Sequence, residues 1–514
     1  MTTTLERNKK RWEATALRFE TLVALCRERM SWGAWMLSVL GLATLVSRSP
    51  GLLFNGMFDR DESYLAVTGD VLRSGGELYS NVIDRKPPIV PVLYSLIRDL
   101  SVDMRAIRVA LAVLVFVNGV VVVEIVRRMS GSRRAALFAG VLAIVGTALF
   151  LPSDAQAANF ELWGLAPASA AMLCIVIARE PRARQLLWFG LAGAAVVVAA
   201  NCKQPYIAVG IPIVFEAIRR GSLKYRALLA VVAGAVCAAL PLFVFFDGQR
   251  MMRWVWTDNS DYLEGGISLG RAALIGLALS LAFVGLHLPL FYGVWAAARR
   301  KTRVDPTVLV WLVVSALVLP IGLRFFGHYY QQLVPPLAVL TGCALVTARQ
   351  RVWTFLSALT LALLVSMLAV AFIYRPDLTN YTALGRYVQS TTTTDQQILV
   401  WGALPDVYVS ANRLPAGVFL HGGYLTGNWA SRSQPLPESA MSQEPFASRW
   451  GMFFEDVAAN PPILVINAAR PDTDWARYGP GSFPIGSWLE RCYDLDRVVD
   501  GLSVWRRDVS ACPM

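Results

Sequence analysis

The sequence predicts a polytopic α-helical membrane protein with an α/β domain at its C-terminal end. Three observations predict this class. Of 514 residues, 55% are hydrophobic and only 16% charged, with a mean hydropathy of +0.47. That balance suits a bilayer protein and not a large soluble core. Many apolar runs approach the roughly 20 helical residues that cross a bilayer. Basic clusters recur in alternate connections, as cytoplasmic loops do.

The first 30 residues are basic and amphipathic, with Arg7, Lys9, Lys10, Arg11, Arg18, Arg27 and Arg29. No small-residue cleavage site follows the first apolar run, so the pattern predicts a helix on the cytoplasmic surface and no secretory signal. Spans are expected near 32–54, 104–126, 134–151, 160–178, 185–201, 204–218, 226–246, 270–298, 306–323, 329–347 and 352–374. That makes about 11 spans at the usual helical length. Only Cys202-Lys203 separates the fifth from the sixth, which leaves one bent span as an alternative.

Basic clusters follow the second span (Arg127, Arg128, Arg133, Arg134), the fourth (Arg179, Arg182, Arg184) and the sixth (Arg219, Arg220, Lys224, Arg226). Arg299, Arg300, Lys301 and Arg303, then Arg349 and Arg351, continue the series. The positive-inside rule puts these and the N-terminus in the cytoplasm. The first loop and the C-terminal region are then external, on an inner or plasma membrane. The net charge of +12 belongs to the cytoplasmic loops. It suits anionic membrane lipids and gives no case for nucleic acid. The first external segment breaks the rule, because it holds Arg60, Arg73, Arg85 and Lys86. Those charges are expected to have partners.

After residue 374 hydropathy falls, dividing a membrane unit, 1–374, from an external unit, 375–514. Gln397–Trp401 and Pro462–Ile466 are short apolar runs bounded by turn residues and read as buried strands. Residues 378–390 and 484–493 read as helices. Five of the seven cysteines, Cys26, Cys174, Cys202, Cys237 and Cys343, lie in or beside the membrane part without CxxC spacing and read as buried packing residues. Cys492 and Cys512 fall in the external tail, where an oxidising compartment permits a pair.

The most informative stretch is 58–88, FDRDESYLAVTGDVLRSGGELYSNVIDRKPP. Charged residues stay at a bilayer when they pair, face water or perform chemistry. From Asp61 to Arg73, apolar residues recur at helical spacing, and Gly75-Gly76 ends the helix. Such a helix lies flat on the bilayer. Asp61, at its start and on the side of Leu65, points toward the protein. Capping by Asp61 or Asp59 is the competing reading. Pro87-Pro88 starts a second helix, so Arg85 and Lys86 sit at a helix N-terminus suited to an anion. Snorkelling to phospholipid headgroups is the alternative.

A carboxylate and a cation on one loop suit a sugar leaving from a lipid phosphate. The phosphate is already a good leaving group and needs a cation. The acceptor hydroxyl needs a base, typically a carboxylate. Asp61-Glu62 followed by Asp84-Arg85-Lys86-Pro87-Pro88 resembles the GT-C glycosyltransferases, in the branch of protein O-mannosyltransferases and lipid A aminoarabinose transferases. Ala158-Asn159-Phe160-Glu161, Arg324 through Tyr330, and Val400-Trp401-Gly402 through Asn412-Arg413 are similar too. The resemblance implies an inverting transfer from a polyprenyl-phosphate sugar to an external hydroxyl on a glycan, lipid or protein. It implies Asp61 as catalytic base, with Asp59 the alternative, and Lys86 as the phosphate contact, beside Arg85. Arg324, His328 and Tyr329 are further donor candidates, against an interfacial belt of basic and aromatic residues. Glu62, Glu161 and Tyr330 are candidates for sugar or acceptor contact, with capping as the alternative for Glu161. Lys203 either helps hold the anionic donor or snorkels.

Zinc, EF-hand, Walker and dinucleotide signatures are absent from the sequence. A divalent cation is the one cofactor candidate, at Asp258, Asp261 and Glu264 in the loop 247–269; a solvated acidic loop is the alternative. His287 reads as a packing residue. The same resemblance admits an arabinofuranosyltransferase of cell-wall polysaccharide, which shares this architecture; a transporter or flippase of lipid-linked sugars is a rival from another class. Transporters place charged sites near the bilayer midplane, whereas these charges cluster at its external boundary. An inactive scaffold on the same fold is a third possibility, against which the intact Asp61 and Lys86 count.

Overall fold

The computed structural model describes residues 30–181, 184–258, 268–299, 301, 303–373, 381–427, 443–469 and 484–510. The expected N-terminal surface helix, Cys26, Asp261, Glu264 and Cys512 lie outside these residues.

Among the described residues, seven helices are long and apolar enough to cross a membrane: Trp32–Leu53, Met104–Ser130, Phe160–Ile177, Gln185–Cys202, Gly221–Phe245, Leu269–Leu286 and Gln350–Ile373. Other expected spans are shorter or interrupted. Arg133–Val145 tightens into the 3-10 turn Gly146–Ala148. Gly327–Leu333 is 3-10 and continues as the helix Val334–Leu345. Gln204–Ile218 and Pro306–Leu317 are short apolar helices. The 185–201 and 204–218 segments are two helices, because Lys203 is extended between them (φ −155°, ψ 131°). The expected 270–298 span breaks at His287, and Pro289 opens the next helix, Leu288–Ala298. The His287 ring bridges Phe283 O and Gly146 O, both at 2.9 Å, and so fastens the break to the neighbouring turn.

Helix contacts in lipid gain little from the hydrophobic effect, so close approach of small residues matters. A Cβ at Gly234 would lie 1.9 Å from the Gly190 carbonyl oxygen. Through that contact Gly221–Phe245 docks on Gln185–Cys202, while Leu229, Val236 and Val244 remain exposed as a lipid-facing surface.

The C-terminal α/β region is built on a four-stranded sheet in the order β1-β2-β4-β3, with β1 Ile398–Gly402, β2 Leu464–Ala468, β3 Tyr493–Val499 and β4 Leu502–Arg507. β1 and β2 are parallel and the other pairs antiparallel. The two expected strands are thus β1, at an edge of the sheet, and β2, in its interior, shifted by one and two residues. The helices Thr382–Thr391 and Pro484–Cys492 match the two helical expectations. The β3–β4 hairpin turns at Asp500-Gly501, both with positive φ (51° and 79°), a geometry that Asp-Gly favours.

This region sits on the first polar loop. Val67, Val71, Leu78, Tyr79, Val82 and Ile83 share one apolar cluster with Trp254, Trp401, Phe419 and Tyr424. The Ile83 N–H donates to Val418 O at 2.9 Å. The loop is therefore clamped between helices and sheet, which fixes the charged residues at its two ends.

Candidate active site

Asp59 caps the helix Arg60–Arg73, its Oδ1 accepting from the Asp61 N–H at 2.8 Å. A carboxylate here satisfies an otherwise free donor and complements the helix dipole. Capping thus falls to Asp59 and leaves the Asp61 side chain uncommitted to that task. The helix ends at Ser74, followed by Gly75 at φ 89°.

The other end of the loop is pinned at three points. Tyr79 Oη donates to Lys86 O at 2.8 Å, the Lys86 N–H donates to Asp84 Oδ1 at 3.1 Å, and Gln204 Nε2 donates to Arg85 O at 2.8 Å. Pro87-Pro88 then leads into the helix Ile89–Leu100. Lys86 Nζ lies 3.9 Å from Asp61 Oδ2 and 4.1 Å from the centroid of the Phe160 ring. The Lys86 side chain is 14% exposed and that of Asp61 31%, so water reaches the pair. The two ends of the loop meet.

A second charged group adjoins them. Lys203 pairs with Glu161, and its Nζ lies 4.1 Å from the Tyr329 ring centroid. His328 Nδ1 is 2.9 Å from Asp154 Oδ1, which also accepts the His328 N–H at 2.9 Å. His328 Nε2 stands 3.7 Å from Glu161 Oε1. The segment holding Asp154 is braced from below: Arg48 donates to Ala155 O and Thr147 Oγ1, and Gln156 Nε2 donates to Ser47 O at 3.0 Å.

These charges set the protonation of the carboxylates. Burial alone would raise the Asp61 pKa, but Lys86, His328, Lys203 and Arg85 together outweigh it and hold Asp61 below the usual carboxylate range. Burial, reinforced by the Asp61 charge, pushes Asp59 up to about 7. Asp84 is raised by burial against the pull of Lys86 and Arg85. Burial, with the Lys86 ammonium adding to it, holds Lys203 well below the usual lysine range. Of the two candidate bases, Asp61 is the ionised one near neutral pH.

Several expected contacts take other roles. Glu62 is fully buried. Its oxygens accept from Arg108 at 2.8 and 2.9 Å, from the Phe58 N–H at 2.8 Å and from the Ala158 N–H at 2.8 Å. A carboxylate so occupied is a strut between helices, and this geometry gives no support to sugar or acceptor contact. Tyr330 is 2% exposed, with its hydroxyl 2.9 Å from Ser280 Oγ, so it too is committed to packing. Arg324 is fully buried between Leu323 and Phe325, both with positive φ. Asp258 lies 3.1 Å from Arg253 and 3.7 Å from Arg449, a setting that already neutralises it. Among the described residues no group of three or more His, Cys, Asp or Glu is placed to hold a metal. Lys203 is 7% exposed and inward-facing, so it does not snorkel. Sequence reasoning passed over Asp154. Its only signal was an acidic residue between two apolar runs, just before Ala158-Asn159-Phe160-Glu161.

Residues 85–245 match the family model described as dolichyl-phosphate-mannose-protein mannosyltransferase. No curated protein sequence matches. Among solved structures, the chain is similar to ArnT from Cupriavidus metallidurans bound to undecaprenyl phosphate, with a TM-score of 0.65 and 15% identity over 94% of this chain and 99% of that one. It is similar to the Archaeoglobus fulgidus oligosaccharyltransferase tethered to an acceptor peptide, with a TM-score of 0.51 and 12% identity over 84% of this chain and 69% of the other. The arabinofuranosyltransferase AftD from Mycobacteria gives a TM-score of 0.50 and 12% identity over 85% of this chain and 37% of that one. At such identities the likeness speaks to fold. This chain carries the fold of ArnT, and its segment 85–245 is similar to the protein mannosyltransferase family model.

Proposed function

We propose that the protein is an inverting membrane glycosyltransferase. It moves a sugar from a polyprenyl-phosphate donor to a hydroxyl on an external glycan, lipid or protein. The observation that carries this reading is the Asp61 carboxylate facing the Lys86 ammonium across 3.9 Å, with both side chains partly open to water. The match to a mannosyltransferase family model, and the likeness to a structure holding undecaprenyl phosphate, support it.

The site's chemistry follows from two charges. Asp61 takes the proton of the acceptor hydroxyl as its oxygen attacks the anomeric carbon. The bond from that carbon to the phosphate oxygen breaks on the opposite face, and its electron pair leaves with the phosphate. Lys86, with Arg85 beside it, meets the charge gathering on that phosphate. Donor binding turns Lys86 from Asp61 toward the phosphate, which removes the cation that most depresses the Asp61 pKa and makes it a better base.

In this reading residues 1–374 form the catalytic membrane unit, and residues 375–514 cover the site and face the acceptor. The N-terminus is cytoplasmic and the C-terminal region external, with membrane lipids around the helices. Cys492 is disulfide-bonded, in keeping with an oxidising side.

The test is purified protein in nanodiscs with a panel of radiolabelled polyprenyl-phosphate sugars. Label moving to an acceptor only when acceptor is present supports a transferase. Lipid-linked sugar crossing the bilayer without covalent change would favour a transporter.

A further inference from the structure

Beside the Asp61–Lys86 pair stands a second lysine, Lys203, paired with Glu161, that the two-residue chemistry does not use. Lys203 stands at the junction of Gln185–Cys202 and the following 3-10 turn, in extended backbone. The next residue, Gln204, donates from Nε2 to Arg85 O at 2.8 Å, so one hydrogen bond ties the Lys203 backbone to the Lys86 loop. Phe160, whose ring lies 4.1 Å from Lys86 Nζ, is followed directly by Glu161, the partner of Lys203, so neighbouring residues of one helix start bring the two lysines to the same place. Two like charges gathered in a buried recess repel, and an anion between them relieves the repulsion.

At rest each lysine has its own carboxylate, Asp61 for Lys86 and Glu161 for Lys203. Glu161 does not depend on Lys203 alone, since His328 Nε2 lies 3.7 Å away. The Tyr329 ring under Lys203 Nζ offers a face over which the ammonium can pivot without losing its cation–π contact. Close by in sequence, Asn159 is fully buried, with neither side-chain polar atom hydrogen-bonded among the described residues. A buried amide in that state costs free energy until a ligand or water satisfies it.

We infer that Lys203 is a second donor-binding residue, which leaves Glu161 to form with Lys86 a two-cation clamp on the phosphate of the polyprenyl carrier. The inference rests on the proposed function, because it takes the ligand at Lys86 to be that phosphate. The clamp grips the donor from the loop and from the helix bundle at once. Glu161 and His328 remain paired behind it.

The test is binding of radiolabelled undecaprenyl phosphate to the full chain in nanodiscs. The double variant Glu161→Gln/Lys203→Met removes both charges of the resting pair and so strands neither. It should keep the wild-type thermal midpoint and bind the carrier phosphate about tenfold or more weakly, a loss of about 1.4 kcal/mol. Lys203→Arg should bind within about threefold of wild type, since the charge is kept. Wild-type affinity in a folded double variant would overturn the inference and leave the proposed function standing. Failure of the wild type to bind the carrier at all would sink both. A second measurement needs no variant: acetylation of Lys203, read by mass spectrometry, should slow several-fold when undecaprenyl phosphate is added. Protection of Lys86 without protection of Lys203 would contradict the clamp.

Discussion

The Glu62 carboxylate lies fully buried against the Arg108 guanidinium at 2.8 Å, while the side chain of Asp61, the residue before it, is partly open to water and faces Lys86. Successive residues of a helix point in different directions, and here that divides one acidic pair into a reagent and a strut. The strut is a full network: Arg108 also donates to Phe54 O at 2.7 Å and Gly56 O at 2.6 Å. Removing one partner leaves the other charge buried and unpaired, at a cost of about 3–5 kcal/mol. Arg108→Met should therefore lower the thermal midpoint sharply. Glu62→Gln, which keeps the shape, should cost less. Intact stability in Arg108→Met would show that the network carries little.

Asp61→Asn should behave in the opposite way. The fold and the affinity for undecaprenyl phosphate should persist, because the loop is pinned by Tyr79, Asp84 and Gln204 and not by Asp61. Turnover should fall by about 10²–10⁴-fold, the usual contribution of a positioned base. Steady-state kinetics beside a melting curve separates the two effects.

Lys86→Met should weaken the donor more than the acceptor. Truncating one member of a buried charge contact typically costs about 2–5 kcal/mol in binding. Lys86→Arg should recover part of this, limited by the space over the Phe160 ring. The donor KM and carrier-phosphate affinity report the change directly.

Asp59 gives a stability signature with pH. Its folded pKa of about 7 lies above the unfolded value near 3.9, so the fold favours the protonated carboxyl. That contribution is complete below about pH 4 and is lost as pH rises through about 7. Asp61 runs the other way, since its lowered pKa adds stability that disappears on acidification. Asn caps a helix as well as Asp does. Asp59→Asn should therefore melt above wild type at pH 8 and converge with it near pH 4. A constant difference across that range would place the titration elsewhere.

The membrane helices, the helix after Asp59 and the strands β1 and β2 were legible because each rests on local periodicity or capping. The meeting of Asp61 and Lys86 was inferable because both lie on one loop closed by turn residues. Roles set by tertiary packing were not legible. Glu62 and Tyr330 looked as polar as Asp61, and only the buried Arg108 and Ser280 reveal them as struts. Asp154 was hidden because its partner, His328, is remote in sequence. The β3–β4 hairpin carried a local signal, Asp500-Gly501, that the more prominent apolar runs overshadowed. Breaks at Lys203 and His287 depend on neighbouring helices, so hydropathy merged or blurred them.

The central claim is that Lys86 holds the phosphate of a lipid-linked donor while Asp61, across from it, serves the acceptor as base. A structure of the protein with undecaprenyl phosphate bound tests it most directly. The account predicts the phosphate within about 3 Å of Lys86 Nζ, the distance of a charge-assisted hydrogen bond, with the Asp61 carboxylate released from Lys86 and facing open space for an acceptor. Phosphate density away from Lys86, with the Asp61–Lys86 pair still closed, would contradict it.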